Sequence, residues 1–152
     1  AIGNMPMGTA VDWHGLENFL ASSDPGLQQA AIFALSQHQI KGSDKKIAGL
    51  LSSPEKTVRY AAAIALINYQ NPDAVEVLKE IFALDYEPKK DEQNKIIGFN
   101  SAQIETIKLN ALTALQKKPW TLLDQLIKDV AINDKNVKIS TKAKEVLNLL
   151  KN

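Results

Sequence analysis

Apolar residues recur at spacings of three and four along most of this chain, as they do on one face of a helix. The clearest stretch is 57–69, whose apolar face carries Val58, Ala61, Ala62, Ala65, Leu66 and Tyr69. Similar spacing elsewhere predicts eight helices, which the breaks between them group into four pairs. The pattern therefore predicts an all-α fold.

Capping residues predict where several of these helices begin. Three places combine an N-cap residue with proline: Asp24-Pro25, Ser53-Pro54 and Asn71-Pro72. The first residue accepts a hydrogen bond from the free N–H groups of a helix start, and proline fits the first turn because it has no N–H to satisfy. Asn100 or Ser101 is predicted to cap a later helix in the same way.

The chain also repeats itself. A shift of 31 residues places 20–35 on 51–66, so that Leu27 falls on Val58 and Leu35 on Leu66. A shift of 49 residues places Ile107-Lys108 on Val58-Arg59 and Ala114-Leu115 on Ala65-Leu66. A period near thirty that is built from two helices is typical of an α-solenoid, in which neighbouring repeats stack to bury their faces.

The best-preserved copy resembles the short HEAT-like repeats of the bilin-lyase type. The resemblance is carried by an acidic residue, Glu55, followed three residues later by Val58, Arg59, Ala61, Ala62, Ala65 and Leu66. Asp24 and Asp134 take the acidic position in the first and fourth repeats. The resemblance covers about residues 12–150 and implies a right-handed α–α superhelix, HEAT-like or armadillo-like, of about four helix pairs.

The fourth repeat departs from this pattern. Continuing the register from Val137-Lys138 places polar residues on core positions: Ser140, Thr141, Lys144 and Glu145. The apolar residues of this helix are instead Ile139, Ala143, Val146, Leu147 and Leu150. We expect this helix to be the C-terminal cap of the array.

The domain organisation follows from these elements. We expect residues 1–11 to be a linker or frayed N-terminus and residues 12–152 to be a single HEAT-like repeat domain. An inserted loop at 85–101 interrupts the helical spacing and is expected to lack regular structure. Its apolar anchors are predicted to be Tyr86, Ile96, Ile97 and Phe99. We hypothesise that the loop folds over one edge of the array and shapes a binding groove; the alternative is a mobile insertion.

Charge and composition narrow the function. The formal charge is +1, and Arg59 is the only Arg among eighteen basic residues, so we expect neither nucleic acid nor a membrane surface as a partner. The chain has no Cys and no run of eighteen apolar residues, which excludes thiol chemistry and a spanning helix. His14 and His38 lie in different repeats, so a metal pair is not expected, and we expect no catalytic residue, metal or cofactor.

The resemblance implies where a partner protein would bind. In HEAT-like arrays the second helix of each pair lines the concave side, which here exposes Gln29 with Phe33, Tyr60 with Ile64, and Leu109 with Thr113. The predicted partner-binding residues are therefore Phe33, Tyr60, Ile64 and Leu109, together with Tyr86 and Phe99 of the loop. Arg59 either holds the turn before its helix or meets a carboxylate on the partner. The alternative is that tight curvature buries the apolar members of this stripe.

The predicted function is a non-catalytic protein–protein interaction scaffold whose partner is an unidentified protein. The alternatives are an accessory protein of the bilin-lyase type, a HEAT-like DNA glycosylase, and a structural fragment of a larger repeat protein. The near absence of Arg counts against the glycosylase. The chain starts at Ala1 and has no recognisable signal peptide, so we expect a soluble protein that is cytoplasmic or, if processed, periplasmic or secreted.

Overall fold

The computed structural model describes residues 13–87 and 89–150, so the predicted linker at 1–11 lies outside the described residues. The described part contains these helices and strands: α1 (Trp13–Asn18), α2 (Pro25–Gln37), α3 (Ser43–Ala48), α4 (Lys56–Ile67), α5 (Val75–Phe82), β1 (Lys89–Lys90), β2 (Ile96–Ile97), α6 (Ser101–Lys117), α7 (Asp124–Asn133) and α8 (Val137–Leu150). The predicted all-α class is confirmed. Within each predicted pair the two helices pack against each other.

The chain divides into two compact units, the first ending at Ala74 and the second beginning at Val75. Each unit holds two helix pairs. In the first unit α2 packs against α4, and in the second α6 packs against α8, so the second helices stack in both. The expectation of a single domain over 12–152 stays a prediction.

Capping explains why the predicted helix starts agree with the structure. The Asp24 carboxylate accepts a hydrogen bond from the Gly26 N–H (2.8 Å) at the start of α2. At the start of α6, Asn100 and Gln103 form a reciprocal capping box, with side-chain to main-chain distances of 2.8 and 2.9 Å. The Ser53-Pro54 signal falls slightly early, because α4 begins at Lys56.

The two second helices of the first unit end in the same backbone geometry. Gln39 and Gln70, 31 residues apart, are the residues just beyond α2 and α4 with positive φ angles of 48° and 50°. The residue after each donates its N–H back to the helix, Ile40 to the Leu35 oxygen and Asn71 to the Leu66 oxygen. This is a Schellman-type ending, which satisfies carbonyl groups that the helix leaves free. The 31-residue repeat is thus present in the backbone as well as in the sequence.

Tyr69 joins these two helix ends. Its hydroxyl donates to the main-chain oxygens of Leu35 (3.0 Å) and Ile40 (3.2 Å), which close α2. Gln39 returns a bond, from its side-chain amide to the Asn68 oxygen at 3.2 Å. Burial, and then the charge of Asp44, raise the pKa of Tyr69 to about 12, so the hydroxyl stays a donor.

Helix α4 is buried on more sides than its sequence predicts. The predicted stripe is buried at Val58, Ala62, Ala65 and Leu66. A second buried side carries Tyr60, Ala63 and Ile67, spaced by three and four residues. Tyr60 is only 2% exposed, so the prediction that its side chain lies on an exposed stripe is wrong. For this residue the alternative reading, burial within the array, is correct.

The register continued from Val137, which would place polar residues on core positions, is displaced by two residues from the one that the structure shows, and the stripe predicted from Ile139 holds the buried residues. A shift of 81 residues from the second repeat places Val58 on Ile139, Ala62 on Ala143 and Ala65 on Val146, all of which are buried as predicted for α8. Val137 itself is exposed. The fourth repeat therefore keeps the core pattern.

The corrected register also moves the acidic position. Glu55, the N-cap residue of α4, falls on Asn136, whose side chain accepts hydrogen bonds from the N–H groups of Lys138 (2.9 Å) and Ile139 (3.3 Å). Asp134 falls instead on Ser53. The prediction that Asp134 occupies the same position as Glu55 is wrong, and its actual position gives it a different role.

The insertion contains a β-hairpin, so the prediction that it lacks regular structure is wrong. Strands β1 and β2 are antiparallel, with Lys89 opposite Ile97 and Lys90 opposite Ile96. The Asp91 carboxylate fixes the turn by accepting the N–H groups of two turn residues at 2.9 Å, and Asn94 takes a left-handed φ of 64°. Strands of two residues leave no periodic signal in a sequence. Both isoleucines are exposed, which contradicts their predicted role as anchors.

Candidate functional site

One position of the second helices anchors the segment that precedes each helix. Gln28 and Arg59 are 31 residues apart and hold this position in α2 and α4. The Gln28 amide donates to the Leu20 oxygen (2.9 Å), and the Arg59 guanidinium donates to the Ser53 oxygen (2.8 Å). The prediction that Arg59 holds the turn before its helix is therefore confirmed. Its other predicted role, meeting a carboxylate on a partner, stays a prediction.

In α6 this role is taken by Lys108, which falls on Arg59 at a shift of 49 but lies one turn further from the start of its helix. Its ammonium nitrogen lies 4.2 Å from the centre of the Tyr86 ring, in the segment between α5 and α6. The same nitrogen is 2.8 Å from Oδ2 of Asp134, and both side chains of this ion pair are only 2% exposed. Lys108 thus also anchors the segment before its own helix, and it adds a bond to the segment before α8.

A second repeated position supplies the partner of this lysine. In the first unit it is held by Ser22 and Ser53, whose hydroxyls accept the N–H groups of Asp24 (3.0 Å) and Glu55 (3.2 Å). A serine oxygen in this place closes a local turn before the helix. The contact involves no charged acceptor and no residue of another helix pair.

Asp134 holds this position before α8 and makes the same turn bond, from the Asn136 N–H to Oδ1 at 2.9 Å. A carboxylate offers more lone pairs than a hydroxyl, and Asp134 uses them for the Tyr86 hydroxyl (2.6 Å) and for Lys108. We call Tyr86, Lys108 and Asp134 the Asp134 cluster. The cluster ties the base of the insertion to the segment between α7 and α8.

Electrostatics keep the Tyr86 hydroxyl protonated. Burial, and then its hydrogen bond to Asp134, raise the pKa of Tyr86 well above the usual value near 10, and Glu105 acts in the same direction. Glu105 itself accepts the Asn136 side-chain amide at 3.2 Å and pairs with Lys138 at 3.5 Å. Tyr86 is therefore a fixed donor, and the cluster is suited to holding geometry rather than to moving protons.

Two clefts lie beside the cluster, both within the second unit. One has a volume of about 360 Å³ and runs between the end of α5 and α7, with Phe82, Leu126 and Val130 among its apolar walls and the Asp134 cluster among its polar groups. The other, of about 370 Å³, includes Glu105 in its wall. Tyr86 lines both. The base of the insertion therefore forms part of the wall of both clefts.

The predicted partner-binding residues of the first unit take three different environments. Phe33 is 66% exposed on α2, Ile64 is half-buried at the matching position of α4, and Tyr60 is buried. Because α2 and α4 pack side by side, matching positions lie on the same side of the unit. The structure thus keeps Phe33 and Ile64 together and removes Tyr60 from the surface.

In the second unit Leu109 and Phe99 are both half-buried, and neither lines the two clefts. Tyr86 does, but through contacts that the sequence did not predict. Sequence reasoning missed Lys108 and Asp134. The only available signal was that Lys108 aligns with Arg59, a position that faces the preceding segment.

The described residues offer no alternative centre for metal chemistry. Within residues 13–87 and 89–150, no three His, Cys, Asp or Glu side chains gather in a way that could bind a metal ion. None of the helices described is both long and apolar enough to span a bilayer.

A family profile described as HEAT repeats matches residues 14–91, just over half of the chain. The chain belongs to the HEAT-repeat family. HEAT repeats generally mediate protein–protein interactions and are typically non-catalytic. The predicted HEAT-like resemblance and the all-α solenoid class are thereby confirmed. No curated protein and no solved structure matches this HEAT-repeat chain.

The matched segment covers both helix pairs of the first unit and reaches the hairpin. It includes Phe33, Arg59, Ile64 and Tyr86. Lys108 and Asp134 lie beyond it, so the Asp134 cluster joins a residue of the matched segment to two that follow it.

Proposed function

We propose that this HEAT-repeat chain is a non-catalytic scaffold that binds another protein through the solvent side of its second helices. The observation that carries the proposal is Phe33, which is 66% exposed in the middle of α2. That helix contains no charged residue. A large aromatic side chain on an uncharged helix face is typical of an interaction site, because its burial by a partner removes apolar area from water.

Ile64 extends this surface onto α4. It is half-buried and occupies the position that matches Phe33, so a partner that covers Phe33 can also reach it. Tyr60 does not belong to the proposed surface, since it is already buried. In the first unit the apolar part of the predicted site is thereby reduced to Phe33 with Ile64 at its edge.

The second unit supports a further contact, shaped by the insertion. Tyr86 lines both clefts, and the hairpin beyond it exposes Ile96 and Ile97. These observations favour the hypothesis that the insertion contributes to a binding groove. Leu109 and Phe99 remain predicted contacts at the margin of this surface.

The charge pattern supports a protein rather than a nucleic acid as the partner. Several exposed lysines already pair with carboxylates on the same helix, among them Lys79 with Glu76 and Lys128 with Asp124. Phosphate recognition requires cations that are available to the ligand. A gel shift at low salt tests the glycosylase alternative directly, and salt-sensitive DNA binding would contradict the proposal.

The test of the scaffold uses affinity capture from the native extract with matched variants. Phe33→Glu should lose the captured protein, because a charge replaces the apolar contact at an already exposed position. Leu122→Glu, at another exposed apolar residue in the second unit, should retain it. Circular dichroism should show equal helix content in both variants. Capture of the same proteins by the Phe33→Glu variant would contradict the proposal.

The contribution of the insertion is tested by removing the hairpin alone. Replacing residues 89–97 with two glycines keeps Tyr86, and the chain can reconnect because Lys89 and Ile97 lie opposite each other across the strands. We expect an unchanged melting temperature and weaker capture. Unchanged capture would exclude the hairpin from the binding surface.

A further inference from the structure

The cleft between the ends of α5 and α7 has apolar walls and a polar mouth. Phe82, Leu126 and Val130 form part of the walls, and two exposed carboxylates, Asp85 and Asp129, line the same cleft. Its volume of about 360 Å³ suits a small ligand or one long side chain of a partner. We call it the α5–α7 cleft.

The two carboxylates of this cleft are bonded only to neutral groups. Asp85 accepts the Glu87 N–H at 3.2 Å, and Asp129 accepts the Gln125 side-chain amide at 3.1 Å. In the part of the chain that the structure describes, neither carboxylate belongs to an ion pair. Both therefore keep a full negative charge and free lone pairs for a ligand.

Two helix ends add negative charge at the same place. Phe82 is the last residue of α5 and Asn133 the last of α7, and both line the cleft. The final carbonyl groups of a helix lack partners within it, so its C-terminus carries about half a negative charge. The last turn of α7 contains no basic residue that could offset this charge.

The lysines of the cleft do not cancel its negative charge. Lys108 is paired with Asp134 at 2.8 Å, and Lys79 with Glu76 at 3.4 Å. Lys135 is exposed, so its ammonium group can turn toward water. Among the residues described, two carboxylates and two helix ends thus stand against one uncompensated lysine. The cleft is suited to a cation.

We infer that the α5–α7 cleft binds an arginine side chain of the partner; since this names the group that the partner presents to the second unit, it rests on the proposed function. Arginine combines an apolar stem with a charged head, which matches apolar walls beside exposed carboxylates. Its five N–H donors form a planar fork that can meet a carboxylate and the carbonyl oxygens of a helix end together.

Other occupants fit this cleft less well. A divalent metal ion needs several convergent ligands, and within residues 13–87 and 89–150 no three acidic or His side chains gather in that way. An acidic side chain would meet the charges of Asp85 and Asp129. A purely apolar side chain would take both carboxylates partly out of water without a partner, which costs free energy.

A small arginine probe tests the inference without the partner. N-acetylarginine methylamide, titrated into the isotope-labelled full chain at constant ionic strength, should cause saturable NMR shifts of the amides in 82–86 and 126–135. A dissociation constant of about 1–10 mM is expected for a ligand of this size. N-acetylcitrulline methylamide has nearly the same shape without the charge and should not saturate. Methylguanidinium has the charge without the stem and should bind about tenfold more weakly.

Matched charge variants locate the binding. Asp85→Asn/Asp129→Asn keeps the size of both side chains and should weaken binding of the arginine probe about fivefold. Asp124→Asn/Glu145→Gln removes the same charge from residues of this unit that lie outside the cleft, and should leave binding unchanged. Lys135→Gln removes the opposing charge and should tighten binding about twofold.

Several results would overturn the inference. They are the absence of saturable shifts at these amides, equal binding of the citrulline probe, and equal weakening by the two double variants, which would indicate long-range attraction alone. Tighter binding of N-acetylglutamate methylamide at the same amides would show that the cleft takes an acidic group, with the same consequence.

The inference and the proposed function can fail separately. Capture from extract should be weaker for Asp85→Asn/Asp129→Asn than for Asp124→Asn/Glu145→Gln. Equal capture by these two, together with loss of capture by Phe33→Glu, would overturn the inference and leave the proposed function standing. Undiminished capture by Phe33→Glu would contradict the proposed function, while the probe titration, which contains no partner, would still report on the cleft.

Discussion

The two units use different side chains to hold the segment that precedes each second helix. Before α2 and α4, a serine hydroxyl closes the turn, and Gln28 or Arg59 binds a main-chain oxygen eight or six residues away. Before α8, Asp134 closes the turn and also binds Lys108 and Tyr86, which are 26 and 48 residues away. The first unit therefore anchors each repeat locally, while the second ties two repeats and an insertion through one carboxylate.

The difference follows from the insertion. The segment between α5 and α6 is longer than its counterparts in the first unit and carries the hairpin, so it needs an attachment that a local turn cannot provide. Tyr86 provides the attachment, and a charged acceptor strengthens it. The stability of the second unit therefore depends strongly on Asp134, because removing one member of a buried ion pair leaves the other charge buried without a partner.

The largest expected effect comes from removing this acceptor. Asp134→Ala leaves Lys108 charged and buried without its partner, so we expect a loss of about 3–5 kcal/mol from the unfolding free energy of the second unit. Urea denaturation followed by fluorescence of Trp120, with Trp13 replaced by Phe, measures this unit because Trp120 is then the only Trp.

The matched control is Ser53→Ala in the first unit, which removes the corresponding turn bond. Its loss should be about 1 kcal/mol, as is usual for a capping hydroxyl. Circular dichroism can follow both variants. Equal losses of unfolding free energy in Asp134→Ala and Ser53→Ala would show that Asp134 acts only as a turn residue. That result would contradict the difference between the two units.

The next effect concerns the attachment of the insertion. Tyr86→Phe removes the hydroxyl that donates to Asp134 but keeps the ring beneath Lys108, so we expect a loss of about 1.5–3 kcal/mol, as for a bond to a charged group. Protease cleavage within the hairpin should become faster. Tyr69→Phe removes a hydroxyl bonded to neutral carbonyls, and its loss should be about 0.5–1.5 kcal/mol. A larger loss of unfolding free energy for Tyr69→Phe than for Tyr86→Phe would contradict the claim that the charged acceptor makes the stronger attachment.

Alkaline titration tests whether the Tyr69 hydroxyl is buried, because a buried tyrosine ionises at a higher pH than a tyrosine of the unfolded chain. Tyr69 has a pKa of about 12 in the fold, whereas a tyrosine of the unfolded chain ionises near 10. Its contribution to stability is therefore complete below about pH 10 and is lost as the pH rises through 12, because the unfolded state loses its proton first. Tyr86 also ionises late, so absorbance of tyrosinate should show one fewer late-ionising hydroxyl in Tyr69→Phe than in the parent chain. Ionisation of all tyrosines near pH 10 in the folded chain would contradict the buried hydroxyl.

The smallest effect is expected at the tip of the insertion. Replacing Ile96 and Ile97 with Thr should change the unfolding free energy by no more than about 0.5 kcal/mol, since both side chains are exposed and threonine suits a strand. A loss comparable to that of Tyr86→Phe would show that the hairpin packs against the second unit and is not attached only at its base.

Local signals made most of the fold predictable. Asp24-Pro25 and the Asn100 cap mark helix starts because the hydrogen bonds they predict span only two or three residues. The stripe from Val58 to Leu66 predicts a buried face because helical spacing is a property of neighbouring residues. The register of α8 was missed because Val137-Lys138 imitates Val58-Arg59, while the true match lies two residues later.

The candidate site was less predictable because its contacts are long-range. Nothing local shows that Asp134 meets Lys108 and Tyr86, although the alignment of Lys108 with Arg59 indicates a side chain that faces a preceding segment. Tyr60 was assigned to the surface by helical position, and only packing decides that it is buried. Phe33 and Leu27 could be placed on helix faces from sequence, but their exposure depends on which neighbours cover them.

The most direct test of the account installs the residues of the first unit at the Asp134 cluster. Asp134→Ser supplies the residue found at Ser22 and Ser53, and Lys108→Gln supplies the residue found at Gln28. A double-mutant cycle on the unfolding free energy of the second unit measures whether the two positions act together. We expect a coupling energy of about 1–3 kcal/mol, with the double variant losing less than the sum of the single losses. Losses that add within about 0.5 kcal/mol would contradict the claim that one buried carboxylate ties the repeats of this unit together.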